Sequence, residues 1–585
     1  MASTSPLPCL WIFPVLTAWA CPPAPAAESE SMPSLVRRFS ADMDLFSKHW
    51  SPAEASIEQV SAERQLLEAW QKTLSAQDEG NRDGSDRIDA ILLRTTLESS
   101  LNDLAQQNVE RKALAQWLPF RSIVEDLTVT RLNGKPQPPE VAASRLAPVP
   151  AQIRKLQDGL KAANAKPKEP KKPNLTPLPS PYQAMRCAEI VKMQANLLKH
   201  WFENQDGFIP EFSWWVRQPY DETQKALEGY QKFLNEEIAG IKGESDRPLI
   251  GKMIGVEELQ RQLGYEFIPY SPEELIRIAE HEFAWCETKM KAAAQEMGLG
   301  DDWKTALKKV KEMHVRPGGQ EAMVRDEAAK AIAFIKERSL ITVPPECETW
   351  WGTRMLSSAE QKQMPYAAYS GHDIIIAFAT SDMKQEDKLM AMRGNSQPFM
   401  HNVVPHELIP GHHLQRFMAE RHRDYRGLFS TPFYVEGWSL YWEMRLWDLG
   451  YHKTAAEKIG ALFWRMHRCA RIIVTLKFHL GQMQPNEMVQ FLMDRVGHEK
   501  FGATSEVRRF IKGDYSPLYQ CGYMLGGLQL IALHREAVAS GKMTEQQFHD
   551  KILTLGPIPI ELVRAAVLEM PAPSKPAWKF AELAP

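Results

Sequence analysis

Cysteine is scarce. The 585 residues hold seven, and Cys187, Cys286, Cys347, Cys469 and Cys521 stand far apart with no close pair among them. That excludes a disulfide framework and a zinc ribbon, and these thiols are expected to be buried as small apolar residues. An excess of one charge is missing too. Lys and Arg number 70 against 73 Asp and Glu, which gives neither a nucleic-acid footprint nor a polybasic membrane surface. Long apolar runs are also lacking. The stretch Leu10 to Ala20 is too short to span a bilayer, and no membrane span is expected. Finally, the pattern HExxH does not occur. In that pattern two histidines lie one helical turn apart and hold zinc, with the Glu as general base.

What the chain has instead is His406-Glu407-Leu408-Ile409-Pro410-Gly411-His412-His413-Leu414-Gln415. Zinc takes imidazole and carboxylate ligands, and a catalytic site leaves one position for water. The ion acidifies that water and polarises a carbonyl, and a neighbouring carboxylate can take the proton. On an ideal helix His412 would be rotated about 120° away from His406, and His413 would lie about 10.5 Å further along the axis. Neither can share an ion with His406 unless the helix breaks. Pro410 removes a donor and disfavours helix at Ile409, and Gly411 permits positive φ. Looping out two residues presents His412; looping out three presents His413. We favour His412.

Tyr434-Val435-Glu436-Gly437-Trp438-Ser439-Leu440-Tyr441-Trp442-Glu443 has the apolar spacing of a buried helix. Glu436 and Glu443 fall on one face, about two turns apart. One carboxylate can bind a metal while the other orients a ligating imidazole. An acidic, buried helix soon after a His-Glu-His cluster needs a cation to neutralise it.

Together these two motifs resemble the bacterial "domain of unknown function 885" family, described as candidate zinc peptidases. The later run Glu506-Val507 with Arg509-Phe510, Pro517 through Tyr523 with Gly526, Phe548-His549-Asp550 and Gly556-Pro557-Ile558-Pro559 is similar as well. The likeness spans most of 180–575. The family is similar in turn to gluzincin peptidases such as thimet oligopeptidase and the thermostable carboxypeptidases. Those are mainly helical, with a deep groove and a third Glu ligand on a later helix. The resemblance implies His406, His412 and Glu436 as Zn2+ ligands and Glu407 as base. His413 and Glu443 remain as alternative or supporting residues. The resemblance also implies Tyr523, then His479, as stabilisers of an oxyanion. Two departures bear on substrate preference: Thr475 stands where Asp is expected ahead of His479, and Tyr519 where Gln is expected.

In chain order, residues 1–27 read as an export signal, with cleavage after Ala20 or Ala26. Its start carries no Lys or Arg, and Cys21 is a candidate lipid anchor. Residues 28–163 read as an N-terminal helical region, with Leu93, Leu97, Leu101 and Leu104 on one helical stripe. A Lys/Pro-rich linker or loop follows at 164–182, and 183–585 forms the helical catalytic region. His281-Glu282 has no later His at ligand spacing and reads as an exposed helix face. Trp214 and Trp215 read as core. Asp373 to Ala379 is short and β-branched and reads as a strand, either buried or offering an edge to an extended substrate. His401 reads as structural. Arg509 is the candidate for a substrate carboxylate, through a bidentate fork.

The expectation is therefore a mainly α fold with a deep groove and a small β element, exported, periplasmic or extracellular. It would hydrolyse peptides with zinc, Glu407 serving as base. An amidase or esterase on a non-peptide substrate is the alternative within enzymes. A non-catalytic helical binding protein with a structural metal is the alternative outside them, and only there is Glu407 unneeded.

Overall fold

The computed structural model describes residues 30–77, 84–164, 177–243, 247–361, 364, 366–513 and 515–581. The export segment and Cys21 lie outside the described residues. The fold is mainly helical, with one small sheet. The long helices start where their sequences provide caps. Ser180 with Gln183, Ser271 with Glu274 and Thr454 with Glu457 each form a reciprocal capping box, which satisfies backbone donors that the first turn leaves open. Pro181 and Pro272 then occupy first-turn positions, where a missing N–H costs nothing.

Four helices position the candidate site. The motif helix, Gln397–Glu407, is buried along nearly its whole length. It packs on the arginine helix, Ala455–His479. The acidic helix, Pro432–Asp448, runs against the tyrosine helix, Tyr519–His534. These last two touch backbone to backbone. A Cβ on Gly437 would lie 2.6 Å from Gly526 Cα, and one on Gly526 would lie 1.9 Å from the Phe433 carbonyl oxygen. Only glycines allow that approach.

The sheet has the order β1-β3-β2, with β1 at Gly352–Met355, β2 at Ala367–Tyr369 and β3 at Asp373–Ile376. β1 pairs with β3 in parallel; β2 pairs with it antiparallel, with Ala368 opposite Ile375. The expected strand at 373–379 is thus the short central one, and both its edges are taken. The outer edges belong to β1 and β2, and β2 is the strand that lines the groove of the candidate site.

The cores do not follow the expected domain division. Residues 32–104 share one core with the acidic helix and the C-terminal helices. Residues 114–239 make another core, to which helices on both sides of the Lys/Pro-rich stretch contribute. Helices Val149–Asn164 and Pro181–Glu203 both pack on Pro210–Phe233. The stretch therefore joins two helices of one unit; its residues 165–176 lie outside the described residues. Trp214 and Trp215 are 83% and 46% exposed, so they are not core. On that helix Phe212, Val216 and Tyr220 form the buried stripe, and the tryptophans fall beside it. The five described cysteines are free and buried. His401 is structural: its Nδ1 lies 2.7 Å from Glu327. Glu282 pairs with Arg465 on the arginine helix, and His281 is exposed.

Candidate metal centre

The motif helix ends at Glu407, and a new helix, His412–His422, begins four residues after Leu408. Between them the Ile409–Pro410 bond is cis. Gly411 has φ −78°, so positive φ is not what selects glycine here. Space selects it: a Cβ would lie 1.8 Å from the His406 carbonyl oxygen. Gly411 N donates to Pro405 O at 2.9 Å, and Leu414 N to Leu408 O at 3.2 Å. Each bond bridges six residues where a helix bridges four. Two residues are thereby looped out, and His412 arrives beside His406, with ring centroids 4.9 Å apart.

The acidic helix is fastened to this break by two hydrogen bonds. Ser439 Oγ donates to His406 O at 3.0 Å, and Trp438 Nε1 donates to Pro410 O at 2.9 Å. Both acceptors are carbonyls that the broken helix leaves without intrahelical partners. This docking sets Glu436 and Glu443 on opposite nitrogens of one imidazole. Glu443 Oε1 lies 2.6 Å from His406 Nδ1; Glu436 Oε2 lies 3.7 Å from His406 Nε2 and 3.2 Å from His412 Nε2. Glu407 Oε1 lies 4.0 Å from His406 Nε2. One ligand atom each of His406, Glu407 and His412 falls within 4.8 Å of the others.

These donors fit a zinc-sized cation. Glu436 Oε2 is buried and has no hydrogen-bond partner, although two imidazole nitrogens stand beside it. Its other oxygen accepts from Tyr519 OH at 2.5 Å, which fixes the carboxylate. Three buried carboxylates gather here, and the nearest guanidinium, Arg468, stands 4.0 Å from Glu443. Burial pushes the His406 imidazole down, but Glu407, Glu436 and Glu443 outweigh it and raise it to about 9. Burial likewise opposes ionisation of Glu436, yet His412 and His406 hold it well below the usual carboxylate range. Added positive charge would offset the three carboxylates of such a buried cluster.

The cluster lies in a groove of about 710 Å³, whose wall includes β2 and residues of the arginine and tyrosine helices. A neighbouring cavity of about 460 Å³ shares Tyr366, but none of His406, Glu407, His412 or Glu436 lines it.

The model of a bacterial protein family of unknown function, DUF885, matches residues 47–567. The chain belongs to the DUF885 family. No curated protein matches it. Solved structures similar to it in fold include two of bacterial origin. One is described as a "putative lipoprotein of unknown function" from Shewanella oneidensis: 16% identical, TM-score 0.67, covering 92% of this chain and 100% of that one. The other is a "putative lipoprotein" from Colwellia psychrerythraea: 16% identical, TM-score 0.59, covering 92% of this chain and 98% of that one.

In this DUF885 chain His413 faces away from the cluster. Its Nδ1 lies 3.1 Å from Tyr369 OH and its Nε2 3.0 Å from Cys347 O. Tyr523 lines the groove, its ring nearly parallel to that of His406 at 6.4 Å. Arg509 also lines the groove. His479 does not. It sits at the last turn of the arginine helix, eleven residues past Arg468, or about 16 Å along the axis. Its imidazole is buried there, and burial pushes its pKa down to about 4. Three further residues serve the cluster, and no motif in the sequence marks them for that role. Tyr369 N donates to Glu407 Oε2 at 2.9 Å, Asn402 Nδ2 to Glu443 Oε2 at 2.7 Å, and Ser439 Oγ holds the His406 carbonyl. Asn402 and His406 are one turn apart, a spacing that placed them on one face.

Proposed function

We propose that this protein is a metal-dependent peptide hydrolase, with His406, His412 and Glu436 holding zinc. The observation that carries the proposal is Glu436. A carboxylate from a later helix reaches within 3.2 and 3.7 Å of two imidazole nitrogens that a helix break has brought together. When bound, the ion would acidify a water and polarise the carbonyl under attack.

The protein residues have separable tasks. Glu443 Oε1 stands 2.6 Å from His406 Nδ1; with a cation bound, that carboxylate would favour the proton on Nδ1 and leave the Nε2 lone pair for the metal. Tyr519 holds the far oxygen of Glu436. Glu407 accepts from Tyr369 N with Oε2, so Oε1, on the His406 side, is left to take a proton from an attacking water and return it to the leaving amine. Tyr523 lies over the cluster, positioned to donate to developing oxyanion charge. An extended peptide suits the free edge of β2. Tyr369 N points away from β3 to Glu407, so by strand alternation Ala367 points its N–H and C=O the same way. Main-chain pairing along such an edge recognises a peptide without regard to its side chains.

Export, with a signal at residues 1–27, belongs to the same proposal. No helix of the described residues is long and apolar enough to cross a membrane, and both fold relatives named above carry the description "putative lipoprotein".

The test is metal analysis of the purified protein with a peptide-library digest read by mass spectrometry, on wild type and on Glu407→Gln. One zinc per chain in both, with cleavage in the wild type alone, supports the proposal. Cleavage that persists in Glu407→Gln removes the proposed base.

A further inference from the structure

From the arginines on the groove wall we infer that the site recognises the free C-terminal carboxylate of its substrate and releases one or two residues from that end. The inference rests on the hydrolase proposal and adds the substrate class. Arg468 and Arg471, one turn apart on the arginine helix, and Arg509 on helix Lys500–Ile511 all line the groove. Arg468 is 7% exposed and Arg471 3%.

Their donors are under-used. Arg471 donates to His467 and Glu506 but leaves Nη1 without a partner. Arg468 and Arg509 donate no hydrogen bond to any described residue; their nearest carboxylates stand 4.0 and 3.7 Å away. The Arg509 carboxylate is Glu506, already shared with Arg471 and His467. The Arg468 carboxylate is Glu443, already taken by His406. Three guanidiniums thus share two carboxylates that other groups already engage, in a place where unpaired charge is costly. A substrate carboxylate would supply the missing partner, and a guanidinium fork matches its geometry.

Position sets the length of the released piece. The Arg468 and Arg471 guanidinium carbons each lie 4.5 Å from the Tyr523 ring centre, which is 6.4 Å from that of His406. The gap from the His406 imidazole to either guanidinium is therefore at most about 11 Å, which an extended chain crosses in about three residues. A carboxylate held there leaves room for one or two residues beyond the scissile bond.

The experiment uses acetylated tetrapeptides, each as free acid and as C-terminal amide. With the zinc-loaded full chain, amidation is expected to lower kcat/KM by about 10- to 100-fold. In R468M and R509M, made separately, the acid-to-amide ratio collapses toward one. Calorimetry with zinc-loaded E407Q tests recognition without turnover, and there the acid binds at least about 10-fold tighter than the amide. Equal binding of acid and amide, or binding of neither, overturns the clamp. Tighter acid binding by E407Q without cleavage of any peptide by the wild type overturns the hydrolase proposal and leaves the clamp standing.

Discussion

Gly526→Ala should damage the candidate metal centre from a residue that touches none of its ligands. The new Cβ would lie 1.9 Å from the Phe433 carbonyl oxygen and 2.8 Å from Gly437 Cα. Both neighbours are backbone, so no side-chain rotation relieves the overlap. To restore an ordinary contact of about 3.4 Å, the acidic and tyrosine helices must part by about 1.5 Å. Overpacking of a tight core costs about 1–3 kcal/mol, and backbone on both sides puts this case at the upper end. The same parting breaks the 2.5 Å hydrogen bond from Tyr519 OH to Glu436, whose carbonyl-side neighbour is Gly437. Loss of a partner that orients a ligand lowers metal affinity by about 10- to 100-fold. Denaturant unfolding would read the first effect and zinc competition with a chromophoric chelator the second. Gly229→Ala is the control: it lies within helix Pro210–Phe233 with nothing within 4 Å of the new Cβ. It should stabilise by about 0.5–1 kcal/mol. A Gly526→Ala protein with wild-type stability and wild-type zinc affinity would refute the proposed role of this crossing.

The two neighbouring histidines should separate cleanly. His412→Ala should cost more than about 100-fold in zinc affinity, as loss of a direct ligand exceeds loss of a supporting one. His413→Ala should leave affinity within about threefold and lose about 1–3 kcal/mol of stability, because Tyr369 OH and the Cys347 carbonyl lose their partner. The reverse order would show the wrong histidine assigned. A pH effect should come from His549, remote from the cluster. Its Nδ1 donates to Leu340 O and its Nε2 accepts from Tyr441 OH, both at 2.7 Å. Burial pushes its folded-state pKa down to about 3, below the unfolded value of about 6.5. The neutral ring therefore contributes stability that is fully present above about pH 6.5 and is lost as pH falls toward 3. That adds a slope of up to about 1.4 kcal/mol per pH unit in this window. His549→Gln should make the acid slope shallower by that amount in urea titrations at successive pH values; an unchanged slope would count against the assignment.

Much of the cluster was legible because it is local. Helix arithmetic showed that His406 and His412 could not meet without a break, and Pro410 and Gly411 stood where the break had to be. The seven-residue spacing of Glu436 and Glu443 placed both on one face, and the structure puts one on each nitrogen of His406. What was not legible depends on how elements meet. His479 was named by resemblance, and only the length of its helix reveals how far it lies from the groove. The Lys/Pro-rich stretch reads as a boundary by composition, while the cores on either side are continuous. Trp214 and Trp215 are apolar in type but fall off the buried stripe of their helix. Tyr369 sits on a three-residue strand too short to carry a pattern of its own. The helix crossing did leave a trace: Gly437 in one apolar helix, and Gly522, Gly526 and Gly527 in another, are positions where two backbones can touch.

The most direct measurement is an anomalous difference map at the zinc edge from crystals of the zinc-loaded protein. The account predicts one strong peak, about 2.0–2.2 Å from His406 Nε2, His412 Nε2 and a Glu436 oxygen. Glu407 should lie beside it without coordinating, and the peak should vanish in Glu436→Ala. A peak elsewhere, or none at this cluster, would contradict the account.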